Sequence, residues 1–366
     1  MLTIKTILTK YPPKLSKISS TPKLDVEVLL SFAIKKPKEF LYTYPEYKLT
    51  KKQKSKFNAA IKRRLKNEPI AYIIGEKEFY GLNFTVSKIT LIPRPETELI
   101  VEQAIQEIKK SKNQKINHSP LSQRGGGGIF SPLRRSLSSK DCDTKASQKV
   151  GELFHPPAEG DRGRVSNQQI TLLDIGTGSG CIPISIIKNL PKDIRKKIKI
   201  YAIDISPKAL ISAKKNARLH GVEKDIKFIK NDLLQQRGGL ASIMEAKPPR
   251  CLIITANLPY ISTSAYKKLT TDIKKYEPKN ALIAGSDGLK YYRKLFKQIQ
   301  KITPNKPPSR GGVGGGLNII LLIEIDFKTM CSKEKLEKTI KQYLPNSKIE
   351  IKKDLSGAER IVMIRL

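Results

Sequence analysis

The sequence predicts an α/β protein with a largely parallel sheet covered by helices on both faces, preceded by a small all-helical N-terminal domain. Three observations carry that reading. Apolar residues recur at three- and four-residue spacing from Leu24 to Ile73; strand-length apolar runs alternate with helical segments from about Gln169 onward; and the first of those runs ends in a glycine-rich turn directly before a helix.

In the N-terminal part, Val26, Leu29, Leu30, Phe32 and Ala33, then Phe57, Ala60, Ile61 and Leu65, each trace one helical face. Thr21 and Asp25 are start signals, and Pro37, Pro45 and Pro69 fall where helices stop or begin. Residues 1–75 are therefore expected to form one helical unit. Met1 to Lys10 alternate apolar and polar residues with no signal-peptide apolar stretch, and no segment has the length needed to cross a bilayer. From Ala71 to Pro93, the runs Tyr72-Ile73-Ile74, Phe79-Tyr80 and Phe84-Thr85-Val86, broken by Gly75 and Gly81, read as β structure, with a hairpin linker over 76–93. Helical spacing returns from Glu96 to Ile108, inside a larger domain placed at 94–366.

Between about residues 111 and 167 the apolar period collapses into Gly125–Gly128 and scattered Ser, Pro and Arg, as in an inserted disordered segment. Its element Ser122-Gln123-Arg124-Gly125-Gly126 is echoed at Ser309–Gly312 and more faintly at Gln236–Gly239, which suggests inserted sequence of common origin at surface loops. The apolar runs that follow are Ile170–Asp174, Ile198–Asp204, Ile226–Lys230, Cys251–Ala256, Leu317–Ile325, Ile349–Lys353 and Ile361–Ile364. Their nearly unbroken apolar character fits parallel strands buried on both faces.

The formal charge is +37, from 70 Lys and Arg against 33 Asp and Glu. Such a balance ordinarily points to a polyanion. Here lysine is spread along nearly the whole chain, including the faces of amphipathic helices, so it reads first as solvated surface, with work near ribosomes or nucleic acid left open. Four cysteines, Cys142, Cys181, Cys251 and Cys331, lie far apart without a CxxC pair. Neither a metal site nor a disulfide framework is expected, and a reduced, cytoplasmic compartment fits best.

The first strand of the larger domain runs into Asp174-Ile175-Gly176-Thr177-Gly178-Ser179-Gly180. Glycines there allow a tight bend and let a ligand lie against bare amides at a helix N-terminus. Cys181 stands where a dinucleotide fingerprint needs its third glycine, and the lysine and hydroxyl of a phosphate-binding loop are missing. The second strand ends in Asp204, a carboxylate suited to a ribose diol, and the third in Asn231-Asp232, suited to an adenine amino group. These three strand ends together resemble the class I S-adenosylmethionine-dependent methyltransferases, a Rossmann-like fold. The resemblance implies a seven-stranded, mostly parallel sheet and S-adenosyl-L-methionine held by Asp174, Gly176, Thr177, Gly178, Ser179, Gly180, Asp204, Asp232, Leu233 and Asn257.

The fourth strand runs into Asn257-Leu258-Pro259-Tyr260. In the same class an N/D/S-P-P-Y/F tetrad serves acceptors whose nitrogen is conjugated to a π-system, either a carboxamide or an exocyclic base amine. Such a nitrogen must be held with its lone pair aimed at the methyl group, which hydrogen-bond acceptors on its NH₂ achieve. The Asn257 side-chain oxygen and the Leu258 carbonyl can take the two N–H bonds, and Tyr260 can pack on the planar group. Leu258 replaces the first proline of the usual tetrad, and N-L-P-Y also occurs in ribosomal RNA adenine dimethyltransferases, so an RNA or DNA adenine methyltransferase is the rival reading.

Other segments resemble the release-factor glutamine methyltransferases: Glu68–Gly75 with Glu78–Leu82, then Leu91-Ile92-Pro93-Arg94-Pro95-Glu96-Thr97-Glu98, Tyr276-Glu277-Pro278, Gly285-Ser286-Asp287-Gly288-Leu289, and Asp354-Leu355-Ser356-Gly357 with Arg360. The resemblance spans nearly the whole chain outside the insertion and the glycine-rich loops. It implies methylation of the G-G-Q glutamine of peptide-chain release factors by Asn257, Leu258, Pro259 and Tyr260, with the helical domain gripping the protein substrate. It also implies a monomer without a membrane segment. Leu233 departs from it, where many relatives carry an aromatic beside the adenine, as does Asp326, where the family usually has glycine.

Overall fold

The computed structural model describes residues 2–113, 170–235, 249–303 and 317–366. The expected insertion, apart from residues 111–113, and the glycine-rich stretches at 236–239 and 309–312 lie outside the described residues.

Six helices make the N-terminal part: α1 (Ile4–Lys10), α2 (Pro12–Leu15), α3 (Pro22–Ile34), α4 (Lys38–Thr43), α5 (Lys51–Arg64) and α6 (Ile70–Ile74). The first was hidden in the alternating start of the chain. Thr3 caps it by accepting the Thr6 N–H at 3.2 Å, and Ile4 and Ile7, one turn apart, are both buried. At the start of α5, Thr50 and Gln53 form a reciprocal capping box. Leu29, Leu30, Leu41 and Phe57 fill a core that also contains a buried ion pair, Arg64 Nε to Asp25 Oδ2 at 2.8 Å.

Tyr72-Ile73-Ile74 is helical, not β structure. Pro69 opens the turn, and Gly75, at φ 85°, closes it by donating to the Ala71 carbonyl. The helical path lets Ile73 enter the N-terminal core while Tyr72 packs with Val86 and Ile92, so tertiary packing overrides the β propensity of these side chains. The hairpin pairs β1 (Glu76–Phe79) with β2 (Leu82–Thr85), and its Phe79 and Phe84 are buried in the core of the larger domain. The Tyr72 hydroxyl donates to the Thr90 carbonyl and the Tyr276 hydroxyl to the Lys66 carbonyl, each at 2.8 Å, tying the helical part to the remainder.

After a short 3-10 turn at Pro95–Thr97, α7 (Glu98–Asn113) runs five residues beyond the Ile108 expected from spacing. The sheet is made of β3 (Ile170–Ile175), β4 (Ile198–Asp204), β5 (Ile226–Lys230), β6 (Cys251–Ala256), β7 (Asn318–Glu324), β8 (Lys348–Lys353) and β9 (Glu359–Arg365), in the order β5-β4-β3-β6-β7-β9-β8. All neighbours are parallel except β7–β9 and β8–β9. Every residue of β3 is buried: Leu172 faces one apolar layer, with α7 and α8 (Cys181–Asn189), and Leu173 and Ile175 face the other, with α13 (Lys290–Ile302) and α14 (Lys333–Tyr343). Between these, α9 (Lys192–Arg195), α10 (Pro207–Leu219), α11 (Thr263–Lys268) and α12 (Thr271–Tyr276) complete the α-helices among the described residues. The chain goes outward from β3 to β4 and β5, then returns to β6 on its other side. The β3 C-terminus is therefore the topological switch point, where open α/β sheets bind ligands. Among the described residues no helix is long and apolar enough to cross a membrane.

Candidate active site

The glycine turn leaves β3 at the switch point and is tied to its neighbour, since the Gly176 and Thr177 N–H groups donate to the Ile203 carbonyl at 2.8 and 3.0 Å. Gly176 sits at φ 74°, and a Cβ built on it would stand 3.0 Å from Leu258 Cδ2 and 3.9 Å from the Asn257 carbonyl oxygen. The turn and the tetrad are thus in direct contact, and a side chain at 176 would both strain the backbone and push them apart. Leu258, the departure from proline, is buried here in the apolar layer.

Asp174 is completely buried. One carboxylate oxygen, Oδ1, accepts the Thr255 hydroxyl at 2.8 Å, while Oδ2 has no partner. Burial pushes its carboxyl up to about 6, with Asp204 adding to the rise and the Thr255 hydroxyl opposing it. An orphaned buried carboxylate oxygen at a sheet edge fits a ligand that brings a donor or a cation. Asp204 accepts the Gly178 N–H at 2.9 Å and the Ser206 N–H at 2.8 Å, and its carboxyl is raised chiefly by burial. The Asn231 N–H donates to the Asp204 carbonyl at 3.1 Å, which brings the third strand end beside the second. The Asp232 carboxylate, expected to face a ligand, is ion-paired with Lys294 on α13. Leu233 is buried at φ 56° in the same apolar layer as Leu258.

Asn257 and Tyr260 converge on Glu324, at the end of the adjacent strand β7. Asn257 Nδ2 donates to Glu324 Oε2 at 2.9 Å and to Thr97 Oγ1 at 3.1 Å; the Tyr260 hydroxyl donates to Glu324 Oε1 at 3.1 Å. Glu324 is buried, and desolvation pushes its carboxyl up to about 7 against the opposing Thr97 and Tyr260 hydroxyls. Tyr260 is itself raised well above its ordinary value by burial and then by Glu324. The Tyr292 hydroxyl holds the Glu324 carbonyl at 2.6 Å. The Gly-Ser-Asp-Gly-Leu segment supports the tetrad from behind: a Cβ on Gly288, at φ 78°, would lie 2.1 Å from the Tyr260 carbonyl oxygen.

The tetrad also lines an open cleft whose other walls include Leu91, Arg94, Leu269, Ile273 and Asp326. Arg94 is paired with the buried Glu277, and Asp326 with Arg360 at 3.4 Å. Sequence reasoning missed the roles of Thr97, Glu277 and Glu324, although the first two lie in motifs it had singled out. It also missed Asn216 on α10, whose amide donates to the Ser179 and Thr85 carbonyls and accepts the Thr85 N–H, fastening the hairpin to the glycine turn. In a chain with 70 Lys and Arg, the cleft carries Glu324 and Asp326 beside Arg94, and Asp174 and Asp204 stand at the ends of β3 and β4.

Residues 7–75 match the family described as the PrmC N-terminal domain, and residues 166–237 the one described as a methyltransferase domain. A release factor glutamine methyltransferase of Coxiella burnetii is 30% identical over 366 residues, covering 100% of this chain and 99% of that one. The chain belongs to the release factor glutamine methyltransferase family. Another member, from Chlorobaculum tepidum, is 31% identical over 274 residues, 75% of this chain and 72% of the relative. A protein of Rickettsia felis named bifunctional methyltransferase is 30% identical over 364 residues, 98% of this chain but only 57% of that protein, so this chain spans little more than half its length. The fold is that of a methyltransferase domain.

Proposed function

We propose that this chain transfers a methyl group from S-adenosylmethionine to the side-chain amide nitrogen, N5, of the G-G-Q glutamine of peptide-chain release factors. The observation that carries the reading is the state of the Asn257 carboxamide: both N–H groups are taken inside the protein, by Glu324 and Thr97, which leaves Oδ1 to act as an acceptor toward a substrate. A primary amide brings two N–H groups, one for Asn257 Oδ1 and one for the Leu258 carbonyl.

The cofactor supplies an electrophilic methyl group on a cationic sulfonium. On this reading the Asp174 carboxylate, with one oxygen unpartnered, receives the cofactor's ammonium, and Asp204 takes its ribose hydroxyls while remaining bound to Gly178 and Ser206. The Asp174 and Asp204 carboxylates favour a cationic cofactor over its neutral product. Asn257 and Leu258 orient the acceptor nitrogen so that its lone pair faces the methyl group, and Tyr260 packs on the amide plane. No strong base is needed, because the nitrogen's proton becomes acidic once the methyl group has been transferred and leaves to solvent.

An adenine amine could use the same acceptors, but a relative that matches the whole chain and is itself matched over 99% of its length is named for glutamine. The helical N-terminal part is the proposed grip on the release factor. The test is to incubate the purified protein and methyl-labelled cofactor separately with release factor, with a release factor whose G-G-Q glutamine is changed, and with ribosomal RNA. Label confined to the unchanged release factor is expected. Label in RNA, or equal label in both release factors, would reverse the reading.

A further inference from the structure

We infer that Thr97 and Glu324 are positioning residues that hold the Asn257 carboxamide in a single orientation, with Oδ1 toward the acceptor. The inference rests on the reading of the site as one that binds an amide N–H.

A carboxamide is nearly isosteric about its Cβ–Cγ axis, so only its partners decide which end faces the cleft. Flipped, Asn257 would present N–H groups to the substrate's own N–H groups, donor against donor. Thr97 by itself cannot prevent this, because a hydroxyl both donates and accepts. Glu324 can. As a carboxylate it only accepts, so a flipped Asn257 would set Oδ1 against Oε2 with no proton between them.

The directions of the surrounding bonds reinforce the choice. Asn257 Nδ2 and the Tyr260 hydroxyl point protons at the two oxygens of the Glu324 carboxylate, and the second Asn257 N–H goes to Thr97 Oγ1. Both carboxylate oxygens are thus already met by donors. Around Glu324, Glu96 opposes its charge and Arg360 favours it, its own charge adds to the rise of the Cys181 thiol and the Tyr260 hydroxyl, and Tyr292 fastens its carbonyl. Thr97 and Glu324 lie 160 and 67 residues from Asn257 along the chain, which gives the Arg-Pro-Glu-Thr-Glu segment and the end of β7 a shared task.

The test uses the full chain, asparagine-labelled with ¹⁵N, with the Asn257 side-chain signal assigned by its absence in Asn257→Ala. Two inequivalent, slowly exchanging amide protons are expected, which shift together as pH crosses the Glu324 ionisation at about 7. Glu324→Gln should remove that titration, and Thr97→Val should release one proton. For methyl transfer, both variants should lose about tenfold to a hundredfold in kcat with KM for the acceptor and cofactor affinity nearly unchanged, since misplacement of a reacting group acts on the transition state. Thr97→Ser, which restores the hydroxyl, should recover most of the rate lost in Thr97→Val. The wild-type rate should rise with pH through the same ionisation, and Glu324→Gln should flatten that rise. Freely rotating Asn257 amide protons indifferent to pH and to both variants would overturn the inference, as would a Glu324→Gln enzyme as fast as wild type at every pH. If wild type fails to label a release factor while the Asn257 signal behaves as expected, the functional reading falls and the orienting role stands.

Discussion

Replacing Asp174 by asparagine should stabilise the protein without cofactor and weaken cofactor binding, two effects of opposite sign from one carboxylate. Burial raises this carboxyl from 3.8 to about 6. The folded state thus holds its proton more tightly than the unfolded chain does. Between those two values folding takes up a proton, so stability falls as pH rises through the window, and above it the penalty is complete. A rise of roughly two units corresponds to about 3 kcal/mol against the folded state at pH 8. Asp174→Asn removes that cost but leaves an amide N–H without a partner, which takes back about 1 kcal/mol and leaves a net gain of about 2 kcal/mol. Against this, the ionised carboxylate should contribute about 1.5 to 3 kcal/mol to a cationic ligand, so the cofactor Kd should rise about tenfold to a hundredfold. In wild type the affinity should fall as pH drops through about 6, and in Asp174→Asn it should not. Urea melts of both proteins at pH 5.5 and pH 8, with calorimetric titration of S-adenosylmethionine, measure every quantity. A variant that melts below wild type at pH 8, or binds cofactor equally well, would refute the reasoning.

Asn257→Ala should lower kcat by about two orders of magnitude or more while cofactor affinity changes far less, as single-turnover labelling and calorimetry would show. Gly288→Ala combines a left-handed backbone with a Cβ that would stand 2.1 Å from the Tyr260 carbonyl oxygen, so a loss of at least about 3 kcal/mol in denaturant melts is expected, together with a fall in turnover. Asp25→Ala strands Arg64 in the helical core and should cost about 3 to 5 kcal/mol there; proteolysis should then cut the N-terminal helices before the methyltransferase core. Equal protease resistance in mutant and wild type would show that the pair adds nothing.

Most of the sheet could be read from residue order because its strands are buried on both faces and so appear as unbroken apolar runs. The expected Ile198–Asp204, Ile226–Lys230 and Cys251–Ala256 agree with β4, β5 and β6 at both ends. Errors arose where local pattern and packing disagree. The short α1 has only Ile4 and Ile7 to mark its period, and α6 is made of residues that favour strands but is helical because Pro69 and Gly75 bound a single turn whose two sides face different cores. Asp232 follows the end of β5 by two residues, yet its partner Lys294 lies 62 residues away on a helix that local reading cannot bring to it.

By itself the sequence determined the class of the fold, the glycine turn, the carboxylates at the strand ends and the Asn-Leu-Pro-Tyr tetrad, because each is a local pattern: a run, a turn or a strand terminus dictated by its own residues. Only the tertiary structure decided how those groups are tuned. The unpartnered oxygen of Asp174 exists because Thr255 of the neighbouring strand satisfies the other one, and the Asn257 amide is aimed by Thr97 and Glu324, which no spacing rule links to it. Identity and order along the chain specify which chemical groups are available. Their protonation and orientation depend on desolvation and on partners brought in from distant segments, and these exist only once the chain has folded.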